Sequence, residues 1–215
     1  MNRFLKTLGL IEKQIKAFQE PAVTEVSWSR NPYLVLVSCM LSLRTKDETT
    51  REASRRLFKL ADTPYQMIKL SPSHLQKLIY PVGFYRNKAK AILETSRSII
   101  KEYRGKVPDT AEGLLNLKGV GRKTANLVLG LGYGIPAICV DTHVHGISNR
   151  LGWVKTKEPH QTEEALQKII PKKHWIDLNT ALVTFGQNIC VPVSPRCSIC
   201  YVRSLCKRVG VTRSR

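Results

Sequence analysis

Leu117-Lys118-Gly119-Val120-Gly121-Arg122-Lys123-Thr124-Ala125 is the stretch on which the fold of this chain turns. A helix-like run precedes the two glycines, and a helix-forming run, Thr124 to Leu131, follows them. Glycines two positions apart permit a tight turn with positive φ. The segment therefore reads as helix, turn, helix, unlike the strand, turn, helix of a dinucleotide fingerprint. The amides that open the second helix point outward and, with the helix dipole, suit a phosphate. Lys123 falls in the first turn of that helix, in the positive field of the helix end and of Arg122 and Lys118. An amine placed there is a candidate nucleophile, and equally a plain phosphate partner.

Outward from this hairpin the chain keeps reading as helices joined by short turns. Ala89, Ile92, Leu93, Ile99, Ile100 and Tyr103 recur at helical period from Tyr85 onward. Asp109 and Glu112 predict the start of a short helix, and Thr63-Pro64 and Ser71-Pro72 each set a cap before a proline at a first helical position. Thr45 and Glu48 read as a capping box for a helix over Lys46–Leu60, with Ala53, Leu57, Phe58 and Leu60 on its apolar side. The run from Tyr33 to Leu43 is eleven residues, too short for a bilayer, and reads as a buried helix. Met1 to Phe18 is basic and amphipathic but contains Glu12 and is poor in Ser and Arg, so it reads as a first helix rather than a transit peptide. Pro136–Val140 is the one short strand-like run. The expected class is all-α.

That run leads into Val140-Asp141-Thr142-His143-Val144-His145. Asp141 is placed to cap a helix continuing to Leu151, where backbone amides and the dipole stabilise the carboxylate as an anion. It reads as a structural cap or as a fixed negative charge beside a developing cation. His143 and His145 are two apart, so on a helix they do not form a metal pair.

Lys plus Arg number 35 against 16 acids, a formal charge of +19, which points to a polyanion and first to nucleic acid. The last fifteen residues carry Arg203, Lys207, Arg208, Arg213 and Arg215 with no acid, so the tail is expected to be mobile or to lie on that polyanion. Cys190, Cys197, Cys200 and Cys206 fall within seventeen residues as C-x6-C-x2-C-x5-C. Four thiolates this close suit a tetrahedral zinc site or an iron–sulfur cluster, and the spacing alone leaves both open. Disulfides are the weaker reading, because no signal peptide is present and a chain this long needs no staples.

Together and in this order, Met40–Asp47 (M-L-S-x-R-T-K-D), Leu117–Ala125, Val140–Val144 and the four cysteines resemble the endonuclease III family, helix–hairpin–helix DNA glycosylases with an iron–sulfur cluster. The resemblance spans nearly the whole chain. It implies two helical domains with a DNA-binding cleft between them: a six-helix domain over residues 22–134 ending in the hairpin, and a discontinuous cluster domain from residues 1–21 and 135–215. It implies a [4Fe–4S] cluster on Cys190, Cys197, Cys200 and Cys206, Lys123 as Schiff-base nucleophile and Asp141 as catalytic carboxylate. Arg44, Lys118, Gly119, Val120, Gly121, Arg122, Thr142 and His143 become the expected DNA contacts. The implied activity is a bifunctional glycosylase and AP lyase that removes oxidised pyrimidines from duplex DNA and cuts 3′ of the abasic site. The expected state is an intracellular monomer without membrane contact, cytoplasmic and nucleoid-associated, or nuclear or organellar in a eukaryote. The rivals are a mismatch-specific thymine or adenine glycosylase without lyase activity, and a silent DNA-binding module with a structural metal. Arg44 stands where many members carry Gln, Lys118 where a proline is usual, Leu115 where a carboxylate is frequent and Gly146 where an Arg is frequent.

Overall fold

The computed structural model describes residues 3–215. Its elements are α1 (Arg3–Ile15), α2 (Ala22–Ser27), α3 (Pro32–Ser42), α4 (Asp47–Phe58), α5 (Pro64–Met67), α6 (Pro72–Ile79), α7 (Tyr85–Tyr103), α8 (Ala111–Leu115), α9 (Arg122–Leu127), α10 (Thr142–Leu151), α11 (Pro159–Ile169) and α12 (Trp175–Asn188). A π-turn over Val128–Gly132 extends α9. No strand occurs among the described residues, so the all-α expectation holds. Pro136–Val140 is not a strand: it carries no regular secondary structure, and Asn179 supplies a side-chain amide to the Cys139 carbonyl at 3.1 Å in place of a sheet neighbour. The chain divides into two compact units, Ala22–Ile135 and Pro136–Arg215 with the N-terminal segment through Pro21.

The Ala22–Ile135 unit is built on α3. That helix is apolar nearly all round, which requires burial on every side. Val35, Leu36, Val37, Cys39, Met40 and Leu41 are all buried, and α2, α4, α7 and α9 pack around them. Asn31 caps α3 by accepting from the Tyr33 amide at 3.0 Å, with Pro32 at the first position. Thr63 and Ser71 cap α5 and α6 as their Pro-following pattern predicts. The cap of α8 falls one residue later than Asp109, on Thr110, whose Oγ1 accepts the Gly113 amide. The capping box at Thr45 and Glu48 does not form: Lys46 is the N-cap without a side-chain bond. Thr45 instead faces Gly83 and Lys88, and Glu48 joins Glu25 and Asp47 around the Arg51 guanidinium at 2.5–3.2 Å. Asp47, last residue of the M-L-S-x-R-T-K-D motif, also accepts the Ala22 amide at 3.0 Å, so its role is to tie α2 to α4.

The other unit is built on α12. Leu178, Leu182, Phe185 and Ile189 meet Val144, Ile147 and Leu151 of α10 and Phe4, Leu8 and Ile11 of α1 in one core. Burying each such side chain stabilises by about 1.5–3 kcal/mol over leaving it exposed. Gly186 lets α10 approach α12, since a Cβ there would lie 2.3 Å from His143 Nδ1. The first helix thus forms as its amphipathic pattern predicts. The basic tail does not hang free: Arg215 donates its amide to Pro195 O and accepts from the Ser198 amide, both at 2.9 Å.

Candidate functional site

The hairpin runs from α8 through Gly119 to α9. Gly119 has φ +77°, the left-handed conformation that favours glycine, and a Cβ there would meet only ordinary contacts. Conformation, not space, therefore requires this glycine. Gly121 is the reverse: its backbone is extended, with φ −102° and ψ 176°, as N-cap of α9. No heavy atom lies within 4 Å of a Cβ built on it, so the space in front of α9 is open. Val120 is buried, and its amide turns inward to the Leu117 carbonyl at 3.1 Å. Of the three amides expected to face a phosphate, that one is engaged within the turn. Thr95 Oγ1 donates to Lys118 O at 2.8 Å and anchors the hairpin to α7.

Lys123 is exposed in the first turn of α9, while Thr124 and Ala125 beside it are buried. Its positive charge reaches the fully buried Cys39, whose thiol burial nonetheless pushes up to about 12. Lys118 is two-thirds exposed and pairs with Glu94 Oε2 at 3.0 Å. Lys118, Lys90 and Arg97 together hold the Glu94 carboxyl below its usual range, the Lys118 hydrogen bond most of all. A phosphate approaching Lys118 would meet the negative charge of that carboxylate. Glu94→Gln is therefore expected to tighten binding to undamaged duplex by about two- to fivefold at low salt, the scale of an exposed ion pair. Fluorescence anisotropy checks it, and the gain should vanish in a Lys118→Gln background.

Arg44 lies past the end of α3. It is exposed, its φ is +51°, and its guanidinium sits 5.8 Å from the Phe84 ring centroid. Phe84 is itself 59% exposed with φ +58°. An exposed aromatic beside an arginine offers a face on which a base can stack. Beneath both lies Lys88, buried on α7, whose ammonium donates to the carbonyls of Leu41 and Leu43 and to Thr45 Oγ1. Burial pushes Lys88 down to about 8.

In the other unit Asp141 caps α10: its Oδ1 accepts from the Val144 amide at 2.9 Å. Thr142 is exposed, whereas the His143 ring packs against Gly186. His145 bonds Thr162 Oγ1 at 2.6 Å, a side-chain partner consistent with a structural role.

The four cysteines ring one cavity, together with Arg150, Phe185, Ile189, Val202 and Val211. Among the described residues, no three His, Cys, Asp or Glu side chains gather tightly enough for a single ion. N–H groups point at the sulfurs: Arg150 Nη1 to Cys190 Sγ and the Arg208 amide to Cys206 Sγ, each at 3.3 Å. Burial raises the Cys190 and Cys206 thiols and lifts Cys200 to about 11, and neighbouring thiols add to the rise at each. Four cysteine sulfurs around one cavity, two of them met by N–H donors, suit a positively charged metal core that would hold them as thiolates. Arg150 also donates to the carbonyls of Cys190, Val191 and Pro192, which holds the approach to the first cysteine in place.

Residues 37–172 match the HhH-GPD family, described as HhH-GPD superfamily base excision DNA repair protein. Endonuclease III of Thermotoga maritima is 50% identical over 177 residues, 82% of this chain and 83% of that protein. This chain belongs to the endonuclease III family. The chloroplastic endonuclease III homolog 1 of Arabidopsis thaliana is 43% identical over 81% of this chain, and the alignment spans about half of that longer protein, 48%. A solved structure of a trapped endonuclease III–DNA covalent intermediate, an estranged-adenine complex, superposes with a TM-score of 0.78 at 37% identity, covering 83% of this chain and 84% of the other.

Within this endonuclease III fold, Lys118, Gly119, Val120, Gly121, Arg122 and Lys123 share one hairpin, and the four cysteines share one cavity. The positions where the sequence departs from the family are surface positions: Leu115 is 48% exposed, and a Cβ on Gly146 would meet open space. Phe84, Lys88, Glu94 and Arg150 escaped the sequence reading. No helix is long and apolar enough to cross a membrane among the described residues.

Proposed function

We propose that this chain is a DNA glycosylase and AP lyase that removes oxidised pyrimidines from duplex DNA and then breaks the strand 3′ of the abasic site. The observation that carries the reading is Lys123, an exposed amine in the first turn of α9 at the end of the Gly119–Gly121 turn. The target nucleotide leaves the base stack so that its C1′ becomes accessible. The Gly119 and Gly121 amides, with Lys118 and Arg122, hold the phosphate beside it. As the glycosidic bond breaks, the base takes the bonding electrons and positive charge develops on the sugar. The Asp141 carboxylate offsets that charge. Lys123 Nζ, in its neutral form, adds at C1′; one of its protons passes to O4′ as the ring C–O bond breaks, which leaves a protonated imine. The imine acidifies the C2′ proton. Its removal expels the 3′ phosphate by β-elimination.

The test is borohydride reduction in the presence of duplex carrying an abasic site or an oxidised pyrimidine. A covalent adduct is expected; base release with no adduct would point to a glycosylase without lyase activity. Absence of both would leave only a DNA-binding module.

Cys190, Cys197, Cys200 and Cys206 are the proposed ligands of a [4Fe–4S] cluster. When bound, it has all four protein ligand positions filled, so it serves fold or redox and not Lewis-acid chemistry. Purified protein is expected to be yellow-brown and to contain iron. Cys197→Ser should lower the thermal stability of the Pro136–Arg215 unit, because metal-binding energy is folding energy there. Colourless, zinc-loaded protein with full activity would sink the assignment.

A further inference from the structure

We propose that Lys88 is the positioning residue for the Arg44 segment, its buried ammonium fixing the end of α3 so that Arg44 meets the space vacated by the target base in one orientation. The inference rests on the proposed function and takes Arg44, an exposed expected DNA contact beside the open Phe84 ring, as the side chain that enters the duplex. Helix α3 ends at Ser42, and its last carbonyls have no intrahelical partner. Lys88 Nζ lies 2.7 Å from Leu41 O and bonds Leu43 O as well. Its third donor goes to Thr45 Oγ1 at 3.0 Å. An ammonium has three N–H donors and here meets three oxygens, a match that no neutral side chain reproduces.

Thr45 passes the hold onward. Its Oγ1 also accepts the Gly83 amide at 3.1 Å. Gly83 lies so close that a Cβ there would stand 2.5 Å from Arg44 O. The turn before α7 is thus flush against the Arg44 backbone, which is held left-handed at φ +51° although it is not glycine. Such a conformation persists only where its surroundings dictate it. A buried lysine is costly to desolvate, so simple space-filling would favour an apolar residue at this position. The three hydrogen bonds of the Lys88 ammonium instead go to the segment on either side of Arg44.

The experiment compares affinity for duplex bearing a tetrahydrofuran abasic analogue with affinity for undamaged duplex, in the full-length protein. Lys88→Met is expected to reduce the preference for the analogue about tenfold or more, since small misplacements of a positioned group cost that much. Affinity for undamaged duplex and its salt slope should stay near the parent values, because the hairpin is untouched. Arg44→Ala should lose the same preference, and the double variant should be no worse than either single one. If Lys88→Met fails to fold, Thr45→Val must show the loss by itself. Full preference in Lys88→Met, or in Thr45→Val, overturns the role. Equal loss on damaged and undamaged DNA overturns it too, as does additivity with Arg44→Ala. A parent protein without any preference for the analogue would instead overturn the proposed function.

Discussion

Lys123→Gln is expected to yield no covalent adduct with abasic DNA under borohydride and no strand cleavage, while affinity for duplex DNA falls only modestly. The size of the effect follows from the chemistry. An amide nitrogen has its lone pair delocalised and cannot form the imine, so the proposed lyase step loses its electron sink altogether. The limited effect on binding follows from the hairpin. Lys123 is one of several cations near the Gly119–Gly121 turn, and Lys118 and Arg122 remain. Removing one phosphate contact should lower the slope of log K against log salt by about one. Gel electrophoresis of reduced reactions reads the first expectation and anisotropy across a salt series reads the second. An adduct that survives in Lys123→Gln would assign the nucleophile to another amine, the N-terminus or Lys118. A binding loss as large as the catalytic loss would make Lys123 a phosphate ligand and nothing more.

The helical fold was legible because its signals are local. Helix α7 buries Ala89, Ile92, Leu93 and Ile99, as its period requires, and Thr63 and Ser71 cap next to proline. The capping box failed because its threonine has competitors far away in sequence. Gly83 and Lys88 both reach Thr45 Oγ1 across about forty residues, and no window around Thr45 contains them. The anchoring of the tail is out of reach of a local window for the same reason, while its contact with a polyanion stays an expectation. Its arginines look like a solvated run, yet Arg215 and Ser198 form backbone bonds that no composition rule registers.

The candidate site was legible where spacing carries chemistry, in the hairpin and in the four cysteines. What escaped is the support around these candidate side chains. Lys88 left a trace in the sequence: it falls on the same helical stripe as Ile92, Thr95 and Ile99, all buried. A charge on an apolar stripe demands partners, and these are carbonyls from the end of α3. Arg150 left none, since its acceptors are backbone carbonyls around Cys190 forty residues on. The turn with positive φ that the glycine pair permits is made at Gly119 alone. The value of Gly121 is the empty space in front of α9.

Asp141→Asn is expected to slow base removal by on the order of 100-fold or more, the scale at which a preorganised electrostatic group contributes to a charged transition state. The substitution is informative because it keeps the structural function. Asp141 caps α10 through one oxygen that accepts the Val144 amide at 2.9 Å, and an asparagine oxygen accepts the same bond. Asn is as good an N-cap as Asp, so the folded state should lose little stability. The negative charge disappears, and with it the attraction for the cation that develops on the deoxyribose as the base departs. Single-turnover release of an oxidised pyrimidine, measured beside thermal melting, separates the two contributions. A slow variant with near-parent melting assigns Asp141 to catalysis. A variant that melts normally and releases the base at the parent rate makes Asp141 only a cap, and the electrostatic half of the mechanism must then come from another anion.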